Sequence, residues 1–174
     1  MEDRIKTVSD AGFEWIIGLE GGMRLRAYWD AAGGVWTIGG GLTYLLVPGG
    51  KKRRVVGTDA FANEAEGRLM QRRAIQHYET LVDLAFRDDI TQIEFDAFTA
   101  LAWNCEIAVN PKWSSLPGLF NAHAPLHVVI AKLKEYRMSG GQVNPGLENR
   151  RACEAYLLKT GQYVLQGEVP KETI

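Results

Sequence analysis

The chain has 174 residues, of which 46% are hydrophobic, and its formal net charge at pH 7 is −1. This content is enough for one compact domain or two small lobes that share a core, and the near-zero charge gives no global bias toward nucleic acid or anionic lipid. No apolar run reaches the roughly 18 residues that a membrane span needs, and the polar N-terminus lacks the apolar core of a secretory signal, so we expect a soluble cytosolic protein.

The first predicted element is a helix that ends at an acidic residue. Ser9 is a good N-cap for it. One face of this helix repeats at i, i+3, i+4 and i+7, and its members are Phe13, Ile16, Ile17 and Glu20. The pair Gly21–Gly22 then ends the helix, which places Glu20 on the last turn, in line with the apolar stripe.

Residues 23–56 predict a small antiparallel sheet. Short bursts of β-branched and aromatic residues alternate with glycine-rich turns in "RLRAYWD", "VWTIG", "LTYLLV" and "RRVVG". The stretch "VPGGKKRRVV" predicts a hairpin with its tip at Gly49-Gly50-Lys51. The basic run 51–54 is interpreted either as a solvated turn or as a surface that attracts an anionic cell envelope.

The remainder of the chain has helical patterns. Thr58 is predicted to cap a long helix that has Phe61 in its first turn and ends near Phe86. Thr91 is predicted to cap the next helix, which is apolar on nearly all sides and should form the centre of the core. A short helix, an amphipathic helix in "APLHVVIAKLKEYRM" and a last helix over about 147–159 follow.

These elements predict an α+β fold in a single domain that spans residues 1–174. A small antiparallel sheet lobe covers about residues 20–57. A larger helical lobe covers about residues 58–160 and includes the N-terminal helix. The long helix joins the two lobes, and we expect a cleft between them.

Glu20 is the sharpest chemical clue in the sequence. Its apolar surroundings and the negative end of the helix dipole both disfavour a charged carboxyl group, which would suit a general acid, whereas a nearby arginine would oppose both effects. Asp30 and Thr37 follow within the same glycine-rich stretch. Taken alone, each is ordinary, because aspartate is common in turns and threonine in strands.

Three blocks of the chain carry a family resemblance. "VSDAGFEWIIGLEGGMRLRAYWDAAGGVWTIGGGLT" resembles the N-terminal signature of the lysozymes of tailed bacteriophages, glycoside hydrolase family 24. "TQIEFDAFTALAWN" and "PGLENRRACEAYL" are similar to two later blocks of that family, so the likeness covers most of residues 8–158. The resemblance implies a lysozyme-like fold and an endolysin that lyses the host cell by cutting the β-1,4 bond between N-acetylmuramic acid and N-acetylglucosamine in peptidoglycan.

The same resemblance assigns roles to individual residues. It implies that Glu20 is the catalytic acid, Asp30 the second carboxylate and Thr37 the residue that holds the attacking water. Asn104 matches a family residue that is a candidate for substrate contact. Arg150 matches an arginine that lies beneath the catalytic glutamate and orients it.

The implied partner is a peptidoglycan glycan strand, bound by a monomer without any metal or organic cofactor, nucleic acid or stable membrane association. The protein is expected to collect in the host cytoplasm until a membrane pore releases it onto the periplasmic cell wall. Two alternatives stay open. One is a lytic transglycosylase that acts on the same bond, and the other is a non-catalytic peptidoglycan-binding or virion protein with the same fold.

Three departures from the family pattern fall in the first block. One extra residue lies between Glu20 and Asp30 and another lies between Asp30 and Thr37, both in glycine-containing turns where insertions cost little. Gly40 and Leu42 stand where the family has tyrosine and histidine. The separation of the carboxylates, which decides between inversion and retention, is therefore left open.

The cysteines and tryptophans are interpreted as structural. Cys105 and Cys153 lie in apolar, helix-patterned stretches and are expected to be buried free thiols, with a disulfide between them as the alternative. The three histidines show no spacing typical of a zinc site. The five tryptophans are interpreted as core residues rather than sugar platforms, although Trp29 and Trp36 flank the proposed site.

Overall fold

The computed structural model describes residues 6–31, 33–47 and 49–170 of the chain. Its elements are, in chain order, α1 Asp10–Leu19, β1 Arg24–Asp30, β2 Val35–Gly39, β3 Tyr44–Leu46, β4 Lys52–Arg54, α2 Glu64–Ala85, α3 Gln92–Asn104, a 3₁₀ turn at Glu106–Val109, α4 Leu116–Asn121, α5 Leu126–Lys134, β5 Met138–Ser139, β6 Gln142–Val143 and α6 Pro145–Thr160. This mixture of helices and short antiparallel strands confirms the predicted α+β fold.

The chain divides into two compact units. One is formed by Ile16–Gln76 and is called the sheet unit here. The other, the helical unit, is formed by the described residues up to Trp15 together with those from His77 onward. Among the described residues, no helix combines the length and the apolar character needed to cross a bilayer.

A buried carboxylate organises the start of α1 within the helical unit. The hydroxyl of Ser9 accepts the N–H of Gly12 at 2.9 Å, which confirms Ser9 as the helix cap. Asp96 is fully buried and accepts the backbone N–H of Ser9 at 3.0 Å as well as its hydroxyl. The same carboxylate accepts the hydroxyl of Tyr163 at 2.6 Å and the amide of Gln92 at 2.8 Å. This cluster joins the start of α1, the start of α3 and the segment after α6.

The end of α1 differs slightly from the prediction. Glu20 is the residue after the helix end at Leu19, rather than part of the last turn. Its N–H still points to helix carbonyls, those of Ile16 at 3.3 Å and Ile17 at 3.2 Å. The pair Gly21–Gly22 follows with φ values of +84° and +93°, a backbone conformation that favours glycine and ends the helix.

The predicted sheet consists of two separate antiparallel pairs in the sheet unit. Strand β1 pairs with β2, and its partners in register are Tyr28 with Thr37, Trp29 with Trp36 and Asp30 with Val35. Strands β3 and β4 form the predicted hairpin, and the N–H of Val47 donates to the carbonyl of Lys51 at 2.9 Å across its tip. Ala32 and Pro48, which belong to the two predicted turns, lie outside the described residues.

Helix α2 starts six residues after Thr58, so the predicted cap is wrong. The N–H of Phe61 donates to the carbonyl of Leu25 at 2.8 Å, which means that this segment pairs with β1 before the helix begins. The side chain of Asn63 instead accepts the N–H of Glu66 at 3.0 Å and caps the helix. The local helix propensity after Thr58 is therefore overridden by strand pairing with residues that are distant in sequence.

Helix α3 forms the centre of the helical unit, as predicted. Thr91 and Glu94 form a reciprocal capping box at its start. Every residue from 95 to 102 is buried, and several of these are fully inaccessible. Helix α6 is capped by Asn144 and matches the predicted last helix to within two residues.

Both cysteines are free thiols, as predicted, and the alternative disulfide is not formed, but the expected burial is wrong for Cys105, which is partly exposed. Cys153 is fully buried, and this burial raises the pKa of its thiol to about 11. Burial also raises the pKa of Cys105. Because the thiolate is the reactive form, both side chains are poor nucleophiles at neutral pH.

The tryptophans do not behave as one class. Trp15 is buried and its indole N–H donates to the carbonyl of Val164 at 2.7 Å, as expected of a core residue. Trp29, Trp36 and Trp113 are 54%, 38% and 63% exposed, so the prediction that the tryptophans are core residues is wrong for these three.

Candidate active site

The three residues predicted to do the chemistry all belong to the sheet unit. Strand register brings Thr37 opposite Tyr28, and Asp30 lies two residues after Tyr28 on the same strand. Because side chains alternate between the two faces of a strand, Tyr28, Asp30 and Thr37 share one face of the β1–β2 pair.

Tyr28 links the two carboxylates of the candidate site. Burial raises the pKa of its phenol most strongly, the guanidinium of Arg24 opposes this, and the carboxylates of Asp30 and then Glu20 raise it further. The Arg24 guanidinium lies over the Tyr28 ring, 4.2 Å from the centroid. Charges act on a pKa in this way only when they lie nearby, so the carboxylates of Glu20 and Asp30 both lie in the neighbourhood of this phenol. Sequence reasoning missed Tyr28, although its i, i+2 relation to Asp30 in "AYWD" is a usable signal.

The carboxyl group of Glu20 packs directly against Gly41. A Cβ atom built on Gly41 would lie 2.9 Å from Oε2 of Glu20 and 3.2 Å from its Cδ. Gly41 also has a φ of +91°, so both the space and the backbone conformation call for glycine. Reciprocal backbone hydrogen bonds of 2.9 Å between Ile38 and Leu42 hold this turn in place.

The two substitutions relative to the family pattern are accommodated by packing. Leu42 is buried, so the position of the family histidine is filled by an apolar side chain. Gly40 forms two hydrogen bonds with the side chain of Gln71, its N–H donating to Oε1 at 3.1 Å and its carbonyl accepting from Nε2 at 2.9 Å. Gln71 is fully buried and satisfies the buried backbone N–H and carbonyl of Gly40 in the glycine turn.

Thr37 carries an unusual hydroxyl group. The residue is 4% exposed, and its Oγ1 is buried without a hydrogen-bond partner among the residues that the structure describes. A buried polar atom of this kind is uncommon in folded proteins and costs roughly 1–3 kcal/mol. An unsatisfied hydroxyl on the face that also carries Asp30 and Tyr28 is suited to holding a water molecule or a substrate oxygen.

The carboxylate of Asp30 folds back over the turn that joins β1 to β2. A Cβ atom on Gly33 would lie 2.8 Å from Oδ2 of Asp30, so this carboxylate covers the glycine closely. The backbone carbonyl of Asp30 accepts the N–H of Gly34 at 2.7 Å and closes the turn. This hydrogen bond and the contact with Gly33 tie Asp30 to the described residues that lead into β2.

Asn104 and Arg150 belong to the helical unit, where they join a buried charged cluster. Nε of Arg150 lies 3.5 Å from Glu154, and Nε of Arg151 lies 2.7 Å from the same carboxylate. Arg151 also donates to Oδ1 of Asn104 at 2.9 Å, which orients the amide. Burial raises the pKa of Glu154, while the two arginines oppose this shift. The predicted contact between Arg150 and Glu20 stays a prediction, as does substrate contact by Asn104.

The arrangement in the sheet unit is suited to acid–base chemistry. Two carboxyl groups that both act on the pKa of one partly buried phenol, together with a buried hydroxyl on the same face of the strand pair as that phenol, are the groups needed to protonate a leaving oxygen and to assist a water molecule. Within the part of the chain that the structure describes, no three His, Cys, Asp or Glu side chains are grouped so that they could hold a metal ion.

Comparisons with known proteins point to one family. The family model described as "Phage lysozyme" matches residues 19–154. The endolysin of Bacillus phage PZA is 33% identical over 100 residues, which amount to 58% of this chain and 37% of that protein, so the chain spans little more than a third of this relative's length.

Solved structures show the same fold over most of the chain. The endolysin from Escherichia coli O157:H7 phage FAHEc1 superposes with a TM-score of 0.75 at 25% identity, over 91% of this chain and 97% of that one. A mutant form of P22 lysozyme superposes with a TM-score of 0.72 at 22% identity, over 89% of this chain and 99% of that one. These likenesses confirm the lysozyme-like architecture that the sequence predicted.

Proposed function

Because the chain belongs to the phage lysozyme family, we propose that it is an endolysin that hydrolyses the β-1,4 bond between N-acetylmuramic acid and N-acetylglucosamine in peptidoglycan. The observation that carries this proposal is that Tyr28 and Asp30 share one face of the β1–β2 pair, where the carboxylates of both Asp30 and Glu20 raise the pKa of Tyr28. The pairing of Tyr28 with Thr37 across the strands adds the third group to the same face. A pair of carboxyl groups with a nearby water site is the machinery that glycoside hydrolysis requires.

In the proposed mechanism, Glu20 is the general acid. Its carboxyl group donates a proton to the glycosidic oxygen as the bond to the anomeric carbon breaks. The carboxylate of Asp30 either accepts a proton from the water that attacks the anomeric carbon or stabilises positive charge at that carbon. Thr37 holds the water through its buried Oγ1, a role supported by the lack of a partner for that atom in the described part of the chain.

Residues of the helical unit have supporting roles in this proposal. Asn104, oriented by Arg151, contacts the glycan strand. Arg150 orients Glu20. We further propose that the protein acts as a monomer, without cofactor, nucleic acid or stable membrane association. It collects in the host cytoplasm until a membrane pore releases it onto the periplasmic cell wall.

The test is the substitution Glu20→Gln, which preserves shape and removes the transferable proton. General acid catalysis contributes roughly 10²–10⁴-fold to a rate, so we expect clearing of chloroform-treated Gram-negative cells to fall by about 10²-fold or more with an unchanged Tm. Glu14→Gln, on an exposed position of α1, is the matched control and should clear cells like the parent. If Glu20→Gln cleared cells at the parent rate, the assignment of Glu20 as the general acid would be refuted.

Mass spectrometry of the released fragments separates the alternatives. Reducing sugar ends identify a hydrolase, whereas anhydro ends identify a lytic transglycosylase. Retention on purified sacculi without any release of fragments identifies a peptidoglycan-binding protein.

A further inference from the structure

We propose that the sheet unit carries a second saccharide site, on the face of the β1–β2 pair opposite Tyr28 and Thr37. We call it the aromatic groove, and its defining residues are Trp29, Trp36, Thr43, Tyr44, Arg54 and Val55. Its ligand is one sugar residue of a glycan strand that carries acidic substituents. The identification of that strand as peptidoglycan rests on the proposed function.

Strand alternation separates the groove from the candidate active site. Trp29 and Trp36 are partners in the β1–β2 register, one residue away from the Tyr28–Thr37 pair, and therefore point to the other face. Their rings meet edge to face with centroids 5.6 Å apart. Both rings remain substantially exposed, and Tyr44 beside them is 45% exposed. An exposed group of three aromatic rings is a feature that marks binding surfaces.

The groove is held in shape by the surrounding backbone. A Cβ atom on Gly57 would lie 2.7 Å from the ring of Trp36, so the indole rests on the glycine backbone and is fixed by it. Val55 is buried, and its N–H donates to the carbonyl of Thr43 at 3.0 Å. The ring of Trp36 is therefore held in a fixed position, although part of it is exposed to solvent.

The size and lining of the groove indicate the class of ligand. Its volume is about 240 Å³, below the roughly 300–1,000 Å³ of pockets that enclose drug-sized ligands. One pyranose ring fits this space and an extended oligosaccharide does not. The C–H face of a sugar stacks on an aromatic ring, while the hydroxyls of Thr43 and Tyr44 can bond its hydroxyl groups.

Charge at the rim favours an acidic strand over a neutral one. The guanidinium of Arg54 lies 5.5 Å from the centroid of the Tyr44 ring. Lys52 is exposed and lies two residues earlier on the same strand, so it points to the same side as Arg54. Arg53 points the other way and forms an ion pair with Asp59 at 2.7 Å. Stem peptides of peptidoglycan carry free carboxylates that complement this rim.

The test measures co-sedimentation with purified sacculi in a Glu20→Gln background, in which the strand is not cut. Trp29→Ala and Trp36→Ala should each weaken binding roughly tenfold, the scale expected for a lost aromatic contact. Trp113→Ala is the matched control, since Trp113 is an exposed tryptophan with the ammonium of Lys112 4.6 Å from its ring centroid. It should bind like the parent, and thermal melts verify that all variants are folded.

Two further variants test the details. Gly57→Ala keeps every aromatic ring but displaces that of Trp36, so it should weaken binding as well. Arg54→Gln should weaken binding to intact sacculi more than binding to sacculi whose carboxyl groups have been converted to amides with a carbodiimide and ammonia. Equal losses on both materials would overturn the acidic-strand part of the proposal.

The outcomes keep the groove and the proposed function apart. Parent-like binding by both Trp29→Ala and Trp36→Ala overturns the groove, even if the wild-type protein releases muropeptides. An equal loss in Trp113→Ala also overturns it, because binding would then follow exposed aromatic surface in general. Loss of binding confined to the groove variants supports the groove, even if the wild-type protein releases no fragments and the proposed hydrolase fails.

Discussion

Substituting Thr37 by valine keeps the branched shape of the side chain and removes its hydroxyl. That hydroxyl is buried and forms no hydrogen bond with any described residue, and burying an unpaired hydroxyl costs about 1–3 kcal/mol. Because valine leaves no polar atom to satisfy, we expect Thr37→Val to raise the free energy of unfolding by about 1–2 kcal/mol. For a chain of this length that gain corresponds to a rise of roughly 2–8 °C in Tm.

The same substitution should damage activity. If Oγ1 holds the attacking water, its loss leaves that water misplaced, and misplacement of a reactant by about 1 Å can cost roughly 10²-fold in rate. We therefore expect a variant that is more stable than the parent and about 10²-fold slower in clearing cells. A stability gain of this kind at the expense of activity is typical of residues kept for function.

Thr37→Ser is the matched comparison. It retains the hydroxyl and deletes one buried methyl group, which costs about 0.5–1.5 kcal/mol, so it should be less stable than the parent but retain most of the activity. Urea unfolding followed by circular dichroism and turbidity clearing measure the two quantities. A Thr37→Val protein that is destabilised by more than about 1 kcal/mol would show that the hydroxyl has a protein partner, and one that clears cells at the parent rate would remove Thr37 from the mechanism.

The remaining predictions concern a glycine and a tyrosine. Gly41→Ala should lower both the stability and the clearing rate, because its Cβ would lie 2.9 Å from the carboxyl group of Glu20. Gly49→Ala is the control and should lower the stability alone, because Gly49 has a φ of +84° but no described atom within 4 Å of its Cβ position. Equal clearing rates for the two variants would refute the role of the Gly41 contact. Burial and the hydrogen bond to Asp96 raise the pKa of Tyr163 to about 12 from 10.0, so its contribution to stability is complete below pH 10 and is lost as the pH rises from 10 to about 12. In urea unfolding between pH 8 and 11.5, Tyr163→Phe should lose less of its free energy of unfolding as the pH rises than the parent does. If the free energy of unfolding fell with pH as steeply in Tyr163→Phe as in the parent, this prediction would be wrong.

Features encoded within a few neighbouring residues could be predicted from the sequence. The cap at Ser9, the glycine stop after Glu20 and the capping box at Thr91 each depend on positions no more than four residues apart. The predicted helix cap at Thr58 is wrong because the residues after it pair with β1, which lies more than 30 residues earlier in the chain. Local sequence patterns do not show which distant strand will form hydrogen bonds with a given backbone segment.

The site shows the same division. Glu20, Asp30 and Thr37 were identified by chemistry and family resemblance, but Tyr28 was missed because its position opposite Thr37 depends on the β1–β2 register. Trp29 and Trp36 were expected in the core, since hydrophobicity alone does not say which face of a strand will be covered. Strand pairing supplied the information that the residue types did not contain.

The cluster around Asp96 has a consequence for folding during synthesis. Ser9 and Tyr163 meet at this carboxylate, and Trp15 bonds to Val164, which is translated 149 residues later. At about 5–20 residues per second, the ribosome needs roughly 7–30 s to make the chain between these partners. In the sheet unit, by contrast, Gly40 and its partner Gln71 are only 31 residues apart. The sheet unit is therefore completely synthesised before the helical unit. The start of α1 therefore remains without its final partners through most of translation, and the helical unit closes only when the segment after α6 emerges.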